Sequence, residues 1–437
     1  MPPTPRVWQV CAACANRLPD DDAAPQCPLC GGLLEIEHPA PNESVDSLRA
    51  RFDARCCMTG VGAAQSGVWR FAEVVHPNAS HPVTYPEGNT PLLSRDAVSA
   101  YAGCTGLLLK HEGMNPTGSF KDRGMTVGVT QAKRIGTRAV ACASTGNTSA
   151  SLASYAALAG IPALVFVPAG QIALGKLTQT LAYGARTLLV RGDFDACLTL
   201  VRESSERLGI YLLNSINPWR LEGQKTILFE LLQQLGWDPP EWIALPAGNL
   251  GNTAAFGKAL REAHAWGLIQ RMPRLLAVQA EGASPFWQSF QDGFATRHRI
   301  KAETVATAIK IGDPASYDRG VAAIRLSNGV VARVTDVEIL EAKAVIDAAG
   351  VGCEPASAAS VAGVRQLVSS GVIRASDRVV AILTGHVLKD PGALQWYHQA
   401  QEPIPARANR PVEIDATLSA VERVLENDTR GSERRHA

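Results

Sequence analysis

"GLLLKHEGMNPTGSFKDRGMTVGVTQAKRIG", residues 106–136, runs from an apolar stretch through a cluster of turn formers into a segment of helical period. The first seven residues predict a buried strand, and residues 119–136 predict a helix. Between them Asn115, Pro116, Gly118 and Ser119 lead straight to a lysine, Lys121. Ser119 is placed to cap the helix. Lys121 then falls in the first turn, where the positive end of the helix dipole disfavours a second cation. Partial burial at such a place destabilises the ammonium form and leaves an amine able to attack a carbonyl. The plain alternative is a solvated lysine beside Asp122 and Arg123.

The same strand-then-helix rhythm continues downstream. Strands are expected in 137–145, 161–170, 186–192, 210–216, 241–248 and 273–282, with helices at 147–160, 172–185, 193–209, 221–236 and 252–267 between them. Thr335 followed by Glu338 forms a capping box before a further helix, and "DRVVAILTG" (377–385) is a last buried strand. Short Val/Ile/Leu-rich runs alternating with helices describe parallel sheet wound on both faces. The expected fold class is α/β, two-lobed, with mostly parallel twisted sheets covered by helices. Four segments are expected: a small metal-ribbon-like module at 1–40, a large α/β domain from 41–110 and 214–410, a small α/β domain at 111–213, and a helix or tail at 411–437, its charged end poorly ordered.

Composition narrows the function. The 437 residues are 46% hydrophobic and 19% charged with a formal net charge of +1, so neither nucleic acid nor an anionic membrane is expected as partner. No apolar run approaches a membrane span, and the N-terminal stretch has no apolar signal core; a cytoplasmic location is expected.

Three polar loops lie at the carboxyl ends of expected strands, where open α/β sheets bind ligands. In "ASTGNTSAS" (143–151), Ser144, Thr145, Asn147, Thr148 and Ser149 exceed what a helix cap needs. In "PAGNLGNTAAFG" (246–257), Gly248 and Gly251 are expected to let successive N–H groups converge on a phosphate; the dinucleotide G-x-G-x-x-G spacing is absent. In "AILTGHVLKDP" (381–391), Thr384 offers a hydroxyl to a ring nitrogen. The plain readings are a helix cap, an ordinary connection with Asn in left-handed geometry, and a threonine satisfying nearby backbone. Taken together, an amine, a phosphate cradle and a hydroxyl suit pyridoxal phosphate held as a Schiff base.

The stretches "HEGMNPTGSFKDRGM", "STGNTSAS", "VPAGQIALGKLTQTLAYGA", "NSINPWRLEGQKT", "PAGNLGN" and "LTGHVLKDP" resemble threonine synthase, a pyridoxal-phosphate enzyme family of fold type II, over residues 85–395. The resemblance implies that Lys121 binds the cofactor and shuttles protons, that Asn147 meets the ring hydroxyl, and that Gly248, Asn249, Leu250, Gly251 and Asn252 hold the cofactor phosphate. It implies a neutral hydroxyl, Thr384, at the ring nitrogen. It implies a substrate, O-phospho-L-homoserine, that reacts with water to give L-threonine and phosphate, the released phosphate helping to place the water. A second anion site is therefore required, with Ser144, Thr148, Asn214, Ser215 and Arg220 as candidates; an ion pair between Arg220 and Glu222 is the plain alternative. A homodimer is also expected. Rival functions are cysteate synthase, another β-replacement or elimination enzyme such as a serine or threonine dehydratase, and a non-catalytic paralogue that uses the cysteine module to bind a partner.

"CAAC" (11–14) and "CPLCGG" (27–32) give Cys-x2-Cys, a twelve-residue gap, and Cys-x2-Cys. Cys11, Cys14, Cys27 and Cys30 suit a closed tetrahedral site, structural zinc being preferred and a rubredoxin-like iron admitted by the spacing. Gly31 and Gly32 relieve crowding. Cys56 and Cys57 are expected to be buried small residues, and the histidines show no ligand spacing.

Overall fold

A computed structural model describes residues 6–56, 62–170, 174–400 and 402–426. Three sheets organise the chain up to residue 391. The first is antiparallel, with β1 (Trp8–Cys11) between β2 (Arg17–Pro19) and β3 (Leu34–Glu37). Strands β4 (Leu92–Leu93) and β5 (Gly106–His111) begin the second. The chain then leaves to build the third from β6 (Ala139–Ala143), β7 (Ala163–Pro168), β8 (Arg186–Val190) and β9 (Ile210–Leu212). It returns to complete the second with β10 (Trp242–Pro246), β11 (Arg274–Ala280), β12 (Val330–Val334) and β13 (Arg378–Leu383). Strand orders are β12-β11-β10-β13-β5-β4 and β8-β7-β6-β9, parallel throughout except for β4 against β5.

The central strands of the two parallel sheets are buried on both faces, as their unbroken apolar runs require, while the edge strand β8 is largely exposed. Along β10, Ile243 and Leu245 enter one core, while Trp242 and Ala244 enter another on the opposite face. Along β6, Val140 and Cys142 join that first core, and Ala139, Ala141 and Ala143 a third. The period-2 alternation of side chains thus assigns each sheet two separate cores from one strand sequence.

Five helices position the site: α1 (Lys121–Arg134), α2 (Asn147–Ala159), α3 (Pro218–Gln224), α4 (Gly251–Ala265) and α5 (Pro355–Ser369). The single helix expected over 221–236 is two: α3 starts earlier, with Pro218 in its first turn and Asn217 capping the Arg220 N–H at 3.3 Å, and Thr226–Gln234 follows. The Thr335–Glu338 capping box is present, with both reciprocal bonds. Ser119 is not the cap of α1. That position is Phe120, and the Ser119 hydroxyl accepts only a 3.4 Å bond from the Lys121 N–H.

Helices α1 and α3 cross with their backbones touching. A Cβ on Gly223 would run into the Arg123 carbonyl oxygen and lie 2.9 Å from the Gly124 Cα; one on Gly124 would lie 3.0 Å from the Arg220 carbonyl oxygen. Cys56 is exposed, against the expectation of burial, because it ends a surface helix (Val45–Cys56) that buries only Leu48 and Phe52. Cys57 lies outside the described residues, as do all but the first residue of the charged C-terminal stretch and the start of the helix expected from 172. Residues 392–437 form a separate unit, with most of helix Pro391–Gln399 and a helix at 418–426. No described helix is long and apolar enough to cross a membrane.

Gly223→Ala should cost about 3 kcal/mol of stability, the scale of overpacking against rigid backbone. A lowered urea midpoint with unchanged slope is the expected reading.

Candidate active site

The loop before Lys121 is fixed from three sides. Gly118 turns it with φ +86°, a conformation open to glycine. Its carbonyl accepts the His386 N–H at 2.9 Å, and Phe120 N–H donates to the Thr384 carbonyl at 3.0 Å, stitching the loop to the end of β13. From inside α1, the Asp122 carboxyl accepts the Thr117 N–H at 2.7 Å, the Thr117 hydroxyl at 2.6 Å and the Ser151 hydroxyl at 2.6 Å. Asp122 and Arg123 are fully buried, so the solvated-turn reading fails. Arg123 is clasped by Glu112 and Glu230, its Nε lying 2.7 Å from the Glu112 carboxylate.

Lys121 is half-buried, with Nζ 4.0 Å from the Phe120 ring centroid. Desolvation, helped by the nearby Arg220 guanidinium, pushes its pKa down from 10.5 to about 7; Glu354 opposes the shift. The free amine is therefore within reach near neutral pH.

One cavity of about 1410 Å³ is lined by Lys121 together with the polar loops that follow β6, β9, β10 and β13. It brings together the cofactor and phosphate candidates named from sequence: Asn147, Ser144 and Thr148 from the β6–α2 loop, Asn214 and Ser215 after β9, Arg220 on α3, residues 248–252 before and at the start of α4, and Thr384; Ser149 lies outside it, its hydroxyl donating to the Gly146 carbonyl. The loop after β10 differs from expectation in detail. Its left-handed residue is Leu250, φ +60°, not a glycine or an asparagine. Gly248 serves close approach instead, since a Cβ there would lie 2.9 Å from Ile309 Cα. Leu250 caps α4 with no side-chain bond, which leaves the first-turn N–H groups without intrahelical acceptors and suited to an anion.

Arg220 is fully buried, and burial pushes its pKa down to about 10. Nη1 donates to the Leu213 carbonyl at 3.1 Å, while Nε and Nη2 have no partner among the described residues. The alternative pairing with Glu222 is absent: Glu222 is taken by His38, Lys225 and Lys258. Around Arg220, the Asn214 Oδ1 accepts the Ala143 N–H at 3.0 Å, and the Asn249 amide donates to the Ser215 hydroxyl at 2.9 Å.

Sequence reasoning missed Glu354. Buried at the start of α5, it accepts from the Asn147 amide at 2.9 Å and the Thr384 hydroxyl at 3.2 Å, and burial pushes its carboxyl above the usual range. The hydroxyl end of the site therefore also holds a carboxyl group. The only local signal was "CEPASAAS" (353–360), a Glu-Pro helix start with nothing catalytic about it. His111 and His386 make ordinary backbone contacts.

The cysteine sulfurs gather separately. All four lie within 4.8 Å of one another, with Cys11–Cys30 at 3.5 Å, Cys14–Cys27 at 3.7 Å and Cys14–Cys30 at 3.4 Å. A tetrahedron of zinc–sulfur bonds has edges of roughly 3.8 Å, so the donor set fits such an ion. A Cβ on Gly32 would lie 2.7 Å from the Cys11 sulfur, which accounts for a glycine there.

Residues 83–385 match the family described as pyridoxal-phosphate dependent enzyme. The chain is 46% identical over 413 residues to the threonine synthase of Methanosarcina acetivorans, covering 94% of this chain and 98% of that one. The chain belongs to the threonine synthases. Methanocaldococcus jannaschii threonine synthase is 42% identical over 424 residues, covering 95% and 99% of the two chains. The fold matches the solved threonine synthase of Escherichia coli with a TM-score of 0.68 at 19% identity, covering 96% of this chain and 100% of that one. Pyridoxal phosphate is the cofactor of such a threonine synthase, and the residues present fit it. The near-neutral amine, the uncapped start of α4 and the close approach at Gly248 are the parts that its aldehyde and phosphate call for.

The sign of the Lys121 shift fixes a pH dependence. The amine is protonated below its pKa and nucleophilic above it. Imine formation with added pyridoxal phosphate, followed by visible absorbance, should accelerate with a midpoint near pH 7 and level off by about pH 8, where an ordinary lysine would continue to gain toward pH 10.

Proposed function

We propose that this cavity converts O-phospho-L-homoserine and water into L-threonine and inorganic phosphate. Pyridoxal phosphate, when bound, supplies an electron sink for negative charge on carbons next to the substrate nitrogen. Lys121 binds it covalently through Nζ. Asn147 would hold its ring hydroxyl, the backbone N–H groups of Gly248, Asn249, Leu250, Gly251 and Asn252 its phosphate, and Thr384 its ring nitrogen.

With substrate in the cavity, Lys121 would act as the base, since desolvation lowers its pKa to about 7 and eases loss of its proton. Its Nζ accepts protons from the substrate's α and β carbons, returns one at the γ carbon after phosphate leaves, and returns the other at the α carbon once water has added its hydroxyl at β and passed its proton to the retained phosphate. Glu354 holds Asn147 and Thr384 in place. Arg220, with Ser144, Thr148, Asn214 and Ser215, receives the substrate phosphate. A guanidinium fork makes two parallel charge-assisted bonds to such a group, and retention of the leaving phosphate there keeps an acceptor beside the incoming water.

The observation that supports this reading most directly is the pair of unpartnered donors on a fully buried Arg220 in the cavity that also holds Lys121. A buried charge with vacant hydrogen-bond donors is costly unless a ligand completes it.

Lys121→Ala should lose the visible imine absorbance and all threonine formation. Arg220→Met should keep the absorbance but raise KM for phosphohomoserine roughly ten- to hundredfold, the worth of hydrogen bonds to a charged group. The decisive assay compares phosphate release from phosphohomoserine and phosphoserine with the amino-acid product identified. Consumption of phosphoserine without threonine would overturn the substrate assignment.

For the cysteine cluster we propose structural zinc. Four thiolates close the coordination sphere and leave no open position for catalysis, and reduced ligands of this kind suit a cytoplasmic setting. Metal analysis should find one zinc per chain, released by chelator together with a thiol reagent; a coloured iron protein would replace this assignment. The working assembly is taken to be a homodimer, to be read by sedimentation.

A further inference from the structure

The cysteine module grips the same two helices that carry Lys121 and Arg220, at points outside the cavity. Strand β3 begins four residues after Cys30, and its Leu34 packs against Cys11 and Cys27. The carbonyls of Leu34 and Ile36 accept from the side chains of Arg319 and Lys258. Directly after β3, His38 Nε2 lies 2.6 Å from the Glu222 carboxylate, both side chains being at most 1% exposed. Glu222 belongs to α3, two residues beyond Arg220, and also receives Lys225 at 2.5 Å and Lys258. Residues 100° apart per step on a helix place positions 220 and 222 on nearly opposite faces. One faces the cavity and the other the module.

A second grip comes from the loop between the two cysteine pairs. The Asp20 carbonyl accepts the Gln131 amide at 2.6 Å, and its carboxylate lies 3.0 Å from Arg134, both at the far end of α1. Gln131 in turn bonds His76 at 2.9 Å, whose ring stacks on Trp219 of α3 with centroids 4.1 Å apart. The module therefore contacts α1 and α3 together, while those helices touch each other at Gly124 and Gly223. The position of a short helix of seven residues is set by such neighbours, since its own hydrogen bonds are too few to define it.

We propose that the four-cysteine module is a positioning device for the substrate-phosphate site: through His38 on α3 and Asp20 on α1 it sets where Arg220 points relative to Lys121. This rests on the reading of Arg220 as the phosphate ligand. His38 and Asp20 are positioning residues and touch neither cofactor nor substrate. The module so acts on phosphate affinity, and the covalent attachment at Lys121 stays intact.

The test uses cofactor-loaded full-length protein and inorganic phosphate as the probe, with affinity read by calorimetry and attachment by imine absorbance. His38→Ala, Asp20→Ala and protein stripped of metal by chelator should each bind phosphate about tenfold more weakly, the scale on which supporting partners of a ligand act. KM for the phosphorylated substrate should rise in step, with kcat within about twofold and absorbance unchanged. His38→Gln, which retains a donor to Glu222, should recover most of the affinity, and zinc should restore the stripped protein. His38→Ala in stripped protein should add little further, because both changes release one contact. Should His38→Ala fail to fold, Asp20→Ala and the stripped protein decide alone. Unchanged phosphate affinity in these proteins, or a fall in stability with affinity unchanged, overturns the proposal while Arg220→Met still weakens phosphate binding about ten- to hundredfold. Phosphate affinity left unchanged by Arg220→Met overturns the reading of Arg220 itself, and the proposal with it.

Discussion

Two helix backbones meet where Gly124 and Gly223 leave no room for a side chain, and the active-site cations take their places from that contact. Lys121 lies three residues before Gly124, and Arg220 three residues before Gly223. A spacing of three places each cation on the same helix face as its contact glycine, about one turn nearer the N-terminus. The crossing thus brings an amine and a guanidinium to one cavity from two different strand ends. It also couples them, since any shift of α3 that moves Arg220 presses on the backbone of α1.

Two cations side by side in a buried place would ordinarily be unfavourable. The amine responds by giving up its proton near pH 7, with Arg220 as one cause. Arg220 keeps its charge and leaves Nε and Nη2 for an anion. Glu354 supplies a buried carboxyl on the far side, tied to Asn147 and Thr384, whose influence on Lys121 runs the other way. Beneath them Glu230 collects Lys110, Arg70 and Arg123, and each of these charges is desolvated and paired. Pairing of that kind costs several kcal/mol if one partner is removed, because the other is left buried and unmatched. The loop in front of Lys121 is held on such a base, and it cannot relax to expose the amine.

The antiparallel cysteine module joins this arrangement from outside. Its own core is small, Cys11, Cys27 and Leu34 with Leu18 against them, too little apolar surface to define a fold without a crosslink or ion. Its contact to α3, His38 with Glu222, is buried, and its contacts to α1 through Asp20 are partly buried, so its order and theirs are linked. The cofactor loops belong to the parallel sheets.

Local sequence determined a good deal. The alternation of strands and helices, the ends at which polar loops fall, the amine at the head of α1 and the paired cysteine spacing all follow from periodicity, turn chemistry and ligand spacing over a few residues. Tertiary structure decided what depends on partners far apart in the chain. Ser119 has the right chemistry for a cap, but Thr384 and Gly385 draw it into a bridge. Glu354 reads as a plain helix start until Asn147, 207 residues away, points at it. His38 reads as one more histidine until Glu222, 184 residues away, meets its ring. Burial and pairing set the charge of a side chain, and both are properties of what surrounds it in space.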